Sequence, residues 1–188
     1  MGLKWPDEPI KALGVDYSYD EKLLREKNFI ENLDKIKKLI NIWSFRGLSL
    51  YGKVTIIKAL VIPKMVYLFS LIPTPEGVVT ELNRILYKFL WKGTDKVTRL
   101  STINDSEKGG LKMIDLECMI KSSRLAWLKR IFSSNSGTWK SYLRHLLAKY
   151  GGLFLFNSNF DVKDFSIRSQ FYTELLQWWS VFREDRIK

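Results

Sequence analysis

Arg84, Lys88 and Lys92 are spaced four apart, so any helix that holds them carries them in one row, and like charges so placed destabilise a helix by ~0.2 to 0.5 kcal/mol per pair. A bound polyanion would offset that repulsion. Within the expected helix, Glu81 is the carboxylate that offsets the row. Lys53 and Lys64 lie eleven positions apart, about three turns at 3.6 residues per turn, and so share a face unless Pro63 rotates it, whereas Lys58 points elsewhere. From Lys35 to Pro75 there are seven basic residues and no acidic one, and the same holds from Cys118 to Phe160. For a single lysine, a solvated helix surface is the simpler reading. Two long acid-free stretches within a chain of 188 residues, with 31 Lys plus Arg against 20 Asp plus Glu and a net charge of +11, point to a phosphate backbone, which such surfaces attract by counterion release.

Other chemistries lack their residues. One cysteine, Cys118, and one histidine, His145, leave no internal disulfide and no Cys/His zinc set. There is no phosphate-cradling Gly loop, HExxH helix or GxSxG elbow, and no Asp-Asp pair to clamp the Mg²⁺ ions of two-metal phosphoryl transfer. No catalytic centre, metal site or cofactor is expected. Trp43, Trp127 and Trp178 sit in apolar helical patterns and read as packing residues rather than base-stacking platforms, with Trp91 less decided.

With 46% apolar residues the chain can build a core around helices that carry these charges. Residues 1–16 read as two extended runs around the turn Pro6-Asp7-Glu8-Pro9, with Gly14 a bend or bulge; an isolated hairpin is marginal and needs a surface to lie against. From Asp20 the period is helical, with Ile30, Leu33, Ile36, Ile40 and Trp43 on one stripe. A second helix from Ser49 carries Val54, Ile57, Val61, Met65 and Leu68, and Pro63 should bend it or split it in two. The third has Thr74 as cap, Pro75 at its first position and Gly93 as its stop. Residues 94–110 are polar and read as a linker. Beyond it, Asp115 caps a fourth helix bearing Ile120, Leu125, Leu128 and Phe132, a fifth runs from Thr138 to Gly151, and a sixth spans Ser166 to Arg183 with Ile167, Phe171, Leu175, Trp178 and Phe182 on its stripe. The expected fold is mainly α: a hairpin over 1–16, a three-helix bundle over 17–93, the linker, and a smaller helical region over 111–188.

Several strings, taken in order, resemble the region that follows the polymerase palm in LINE-type (non-LTR) retrotransposon reverse transcriptases. They are Lys11-Ala12-Leu13-Gly14-Val15, Trp43, Leu48-Ser49-Leu50-Tyr51-Gly52-Lys53-Val54 with Ile56-Ile57-Lys58, Ile62-Pro63-Lys64 with Tyr67, Phe89-Leu90-Trp91-Lys92-Gly93, Gly109-Gly110-Leu111-Lys112-Met113 with Asp115, and Ala126-Trp127. The last third of the chain matches more weakly. The resemblance implies that the hairpin closes the end of a palm, that residues up to Gly93 form a helical thumb along the template-primer duplex, and that the later helices are a connector. It places the catalytic aspartates in the palm, upstream of this chain, so that the chain alone joins no nucleotides. Its partners would be an RNA–DNA or DNA duplex and the palm and fingers of the parent polymerase. Arg46, Lys53, Lys58 and Lys64 then become candidates to touch phosphates, and Arg84, Lys88, Lys92, Lys112, Lys121 and Arg124 complete the candidate set.

Two other readings compete. Basic amphipathic helices also lie on anionic membranes, but here the apolar stripes of the first three helices can bury one another. The longest uncharged runs, such as Met65 to Pro75, have 11 residues, against the ~20 that span a bilayer. The start of the chain shows no apolar signal core, so an intracellular protein with no membrane partner is expected. The third reading is an inert helical fragment or a protein-interaction module whose charge has no nucleic-acid role.

Overall fold

A computed structural model describes residues 8–75, 77–133 and 137–187. The chain is mainly helical with one two-stranded antiparallel hairpin, as the periodicities require. It divides into two compact units, one of residues 1–69 and 74–117, the other of 70–73 and 118–188.

The hairpin pairs β1 (Ile10–Ala12) with β2 (Val15–Tyr17), placing Ala12 opposite Val15. Its turn is Leu13-Gly14, both at positive φ (51° and 81°), the mirror-image turn whose twist suits a two-residue hairpin loop. The hairpin thus turns where only a bend or bulge at Gly14 was expected, and the expected turn at Pro6–Pro9 falls in part on residues outside those described. The extended run expected before it falls on residues 1–7, outside the described residues. The surface that supports the hairpin lies within this chain. Val15 is fully buried, and the buried Asn28 accepts from the Asp16 amide (2.9 Å) and donates to the Asp16 carbonyl (2.7 Å).

Asn28 can do this because the first helical run is not uniform. After α1 (Glu21–Arg25), capped by the Asp20 carboxylate on the Lys22 amide at 2.8 Å, comes a π-helical turn over Glu26–Ile30, and then α2 (Glu31–Ser44). Where the ladder widens, Asn28 Nδ2 also donates to the Leu24 carbonyl and Asn32 Nδ2 to the Asn28 carbonyl. Such widened turns shift the buried stripe. Phe29, rather than the expected Ile30, joins Leu33, Ile36 and Ile40 in the core, and Ile30 is exposed.

The second run also contains a π turn. Ser49 caps it by accepting from the Gly52 amide (3.2 Å), α3 covers Leu50–Ile56, the wide turn Ile57–Val61, and α4 Ile62–Leu71. Pro63 lacks an N–H, and its ring clashes with the carbonyl four residues back; a shift from i−4 to i−5 bonding just before it accommodates both. The helix therefore continues through Pro63 instead of splitting in two there. At 22 residues, with a mean hydropathy of 1.8 over its most apolar window, it is long and apolar enough to cross a membrane by length and composition. The count of uncharged runs missed this because Lys53, Lys58 and Lys64 interrupt them. Here its apolar face, Val54, Ile57, Val61, Met65, Leu68 and Phe69, is buried in the protein core.

The third helix, α5 (Val78–Trp91), starts three residues later than expected, behind Gly77 in the left-handed region, and ends at Lys92 (φ 54°) before Gly93. Leu82, Leu86, Phe89 and Leu90 are its buried face. Residues 94–110 do not form a bare linker: α6 (Arg99–Ile103) and a 3₁₀ turn (Ser106–Lys108) fold within the first unit, held by a buried hydroxyl pair between Tyr87 and Thr102 (2.9 Å). Gly110 is obligatory there, since a Cβ would meet the Asn104 carbonyl oxygen at 2.0 Å.

In the second unit, α7 (Leu116–Phe132), α8 (Thr138–Ala148) and α9 (Gln170–Ile187) contribute to a core that includes Leu128, Ile131, Leu143, Leu147, Leu155, Phe156, Leu175 and Leu176. α9 begins four residues later than expected. Ile131, not Phe132, is buried on α7.

Candidate nucleic-acid interface

The first unit has a groove of about 580 Å³ that α2 and α5 line along its length. Its apolar floor is Ile40, Ile85 and Phe89, each under a tenth exposed. Among the described residues, five cations stand around that floor, Lys37, Lys53, Arg84, Lys88 and Lys92, and no carboxylate lines it. The groove collects charge because Arg84 and Lys88, one turn apart on α5, share a face and Lys92 follows them as the residue that ends the helix, while Lys37 comes from the facing side of α2.

The five cations differ in freedom. Lys53 is buried, and its ammonium donates to the Leu90 carbonyl at 2.7 Å, one of the carbonyls that the end of α5 leaves unpaired. Burial first, and the Lys92 charge second, hold its pKa below the ordinary lysine value. Arg84 grips Glu81 with two bonds, Nε at 2.7 Å and the guanidinium NH2 at 2.8 Å, and Lys37 reaches the same carboxylate at 3.4 Å and Asp34 at 3.5 Å. The Arg84 bonds first, and Lys37 next among the cations, depress the Glu81 pKa, so this acid stays ionised beside the groove. Lys88 and Lys92 are exposed and make no hydrogen bond or ion pair with the described residues. They are the cations most open to a phosphate.

Four of the ten expected contact residues thus converge: Lys53, Arg84, Lys88 and Lys92. The other six lie elsewhere. Arg46 is exposed, with its guanidinium 4.8 Å from the Trp43 ring centre. Lys58 and Lys64 are exposed on the Leu50–Leu71 helix but do not line the groove, and since Lys53 on that helix is buried, the expected shared face of Lys53 and Lys64 does not exist. The intervening π turn changes the angular relation that an all-α count assumes. Lys112, itself at positive φ, pairs with Asp105 at 3.2 Å. Lys121 stacks over Trp178 at 4.7 Å.

Arg124 is the plainest correction. It is fully buried in the second unit, where its guanidinium donates to the Ile72 and Ser70 carbonyls, lies 4.5 Å from the Phe171 ring centre and faces Glu174 at 3.6 Å. Desolvation outweighs the Glu174 charge and lowers its pKa to about 10. A residue so enclosed cannot touch a phosphate backbone.

Sequence reasoning passed over Lys37, Phe45 and the polar Asn41 and Ser44 of the lining. Lys37 lies in the acid-free stretch from Lys35 to Pro75 but was not among the expected contact residues. Phe45, at the end of α2, also lines the groove and is 82% exposed. Its signal was an aromatic just past a helix end, two residues before Gly47.

No protein-family model matches the chain. Over 189 aligned positions, 95% of this chain, it is 25% identical to the Xenopus laevis protein named "Transposon TX1 uncharacterized 149 kDa protein". Over 132 positions, 66% of the chain, it is 23% identical to an Arabidopsis thaliana protein named "Putative ribonuclease H protein". The chain resembles transposon-related sequence. It spans 14% and 21% of the lengths of these two relatives.

Proposed function

We propose that this chain is the duplex-holding, thumb-like part of a transposon-encoded reverse transcriptase, and that it grips the template-primer backbone in the groove between α2 and α5. The observation that carries this reading is the groove's cationic lining, in which Lys88 and Lys92 stand exposed and no carboxylate occurs among the described lining residues. The ordered strings from Lys11 to Trp127 and the similarity to a transposon protein along 95% of the chain support the same origin. In this reading the chain orients nucleic acid and leaves nucleotide joining to a palm and fingers that meet the hairpin side. Binding is by charge, with Lys88 and Lys92 on phosphates, and so carries little sequence preference.

Fluorescence anisotropy with a labelled RNA–DNA hybrid at several salt concentrations tests this. Each neutralised phosphate should add about −0.9 to the slope of log K against log salt, the duplex DNA value. A flat response, or no binding at low salt, would reject the proposal and favour an interaction module without a nucleic-acid role. Tighter binding to anionic vesicles than to the hybrid would favour the membrane surface.

A further inference from the structure

The same groove carries a feature that a duplex backbone alone does not use. Phe45 lines it with 82% of its surface exposed and makes no ring or cation contact with the described residues, while neighbouring Trp43 is covered by Arg46. A ring left in water beside five cations has no partner in a sugar-phosphate ridge, which offers only charge and hydroxyls. An unpaired base offers a flat π face, and single-strand binders combine such stacking with a cationic track. The groove's size also suits a small flat group, since sites of ~300 to 1,000 Å³ accept ligands of that class, and its floor of Ile40, Ile85 and Phe89 is apolar.

Building on the proposed function, we infer that the groove takes an unpaired nucleotide, its base stacked on Phe45 and its flanking phosphates on Lys88 and Lys92. The preferred ligand is then a hybrid with a single-stranded overhang rather than a blunt one.

Three labelled hybrids distinguish this: blunt, with an overhang, and with an overhang of equal length whose sugars lack bases. The normal overhang should bind about 5- to 100-fold tighter than the baseless one, the range that stacking of one base supplies. Phe45→Ala should abolish that difference and Phe45→Trp should keep it, with circular dichroism checking that both variants fold. If all three hybrids bind equally and Phe45→Ala changes nothing, the stacking inference fails while the grip on the backbone stands. If none binds, both fail.

Discussion

Around Lys88 and Lys92 the cations stand in water, with no acid lining the groove and an apolar floor beneath them. Around Arg124 a guanidinium sits fully buried among two backbone carbonyls, an aromatic ring and a carboxylate. Both regions are basic helix positions inside stretches of low acidity. What separates them is where the rest of the chain brings its acids and its apolar surface: Glu174 and Phe171, some fifty residues later, enclose Arg124, whereas nothing encloses Lys88. A cation that the fold has already neutralised holds the protein together. One that the fold leaves open is available to a partner.

The largest expected effect breaks this comparison at its buried end. Arg124→Ala should lower the stability of the second unit by about 3 to 5 kcal/mol, the cost of leaving a buried partner unpaired, as read by urea denaturation, while the protein that remains folded should bind the hybrid as before. A loss below about 1 kcal/mol would make Arg124 no more structural than a surface cation. Next, Asn28→Ala should cost about 1 to 3 kcal/mol by leaving the part-buried Asp16 amide and carbonyl without their side-chain partner. Hydrogen exchange should accelerate at Asp16, and protection that survives would mean that Val15 alone docks the hairpin.

A smaller effect sharpens the open end. Glu81→Gln removes the carboxylate that engages Arg84 and Lys37 and should strengthen hybrid binding by up to ~5-fold, about 1 kcal/mol, with a stability change under about 1 kcal/mol, as for exposed pairs. Weaker binding would show that Glu81 orients the arginine for its ligand.

The smallest is a pH effect at Glu174, whose carboxyl pKa burial raises above its ordinary 4.5 against the opposing pull of Arg124. The folded state then holds this proton more tightly than the unfolded chain, so the contribution of Glu174 falls as pH rises from 4.5 through the folded pKa. The Tm of the wild type relative to Glu174→Gln should decline over that window. A rise instead would mean that the ion pair with Arg124 outweighs desolvation.

The helical periodicity and the helix starts near Asp20 and Ser49 were legible because they are local, a matter of three- and four-residue spacing, whereas the cap expected at Thr74 was not found, since that helix begins behind Gly77. The π turns were not, since no single residue announces them, and each displaced a stripe or a face. Pro63 follows one of them, but it was expected to bend the helix or split it in two, with no widened turn before it. The row Arg84-Lys88-Lys92 survived into the groove because Arg84 and Lys88 lie on one helix and Lys92 is the residue that ends it. Lys53 and Arg124 were misjudged because their partners, Leu90, Ile72 and Glu174, are distant in sequence, and burial of a cation depends on such partners. Phe45 was passed over because an exposed aromatic has meaning only beside the cations that folding brings to it.

The most direct measurement is the salt slope of RNA–DNA hybrid binding for the wild type and for Lys88→Ala combined with Lys92→Ala, both exposed substitutions that leave the core untouched. Loss of two phosphate contacts should flatten the slope by roughly 1.8, twice the value for one phosphate, with the melting temperature unchanged. Identical slopes for the two proteins would contradict a grip through this groove.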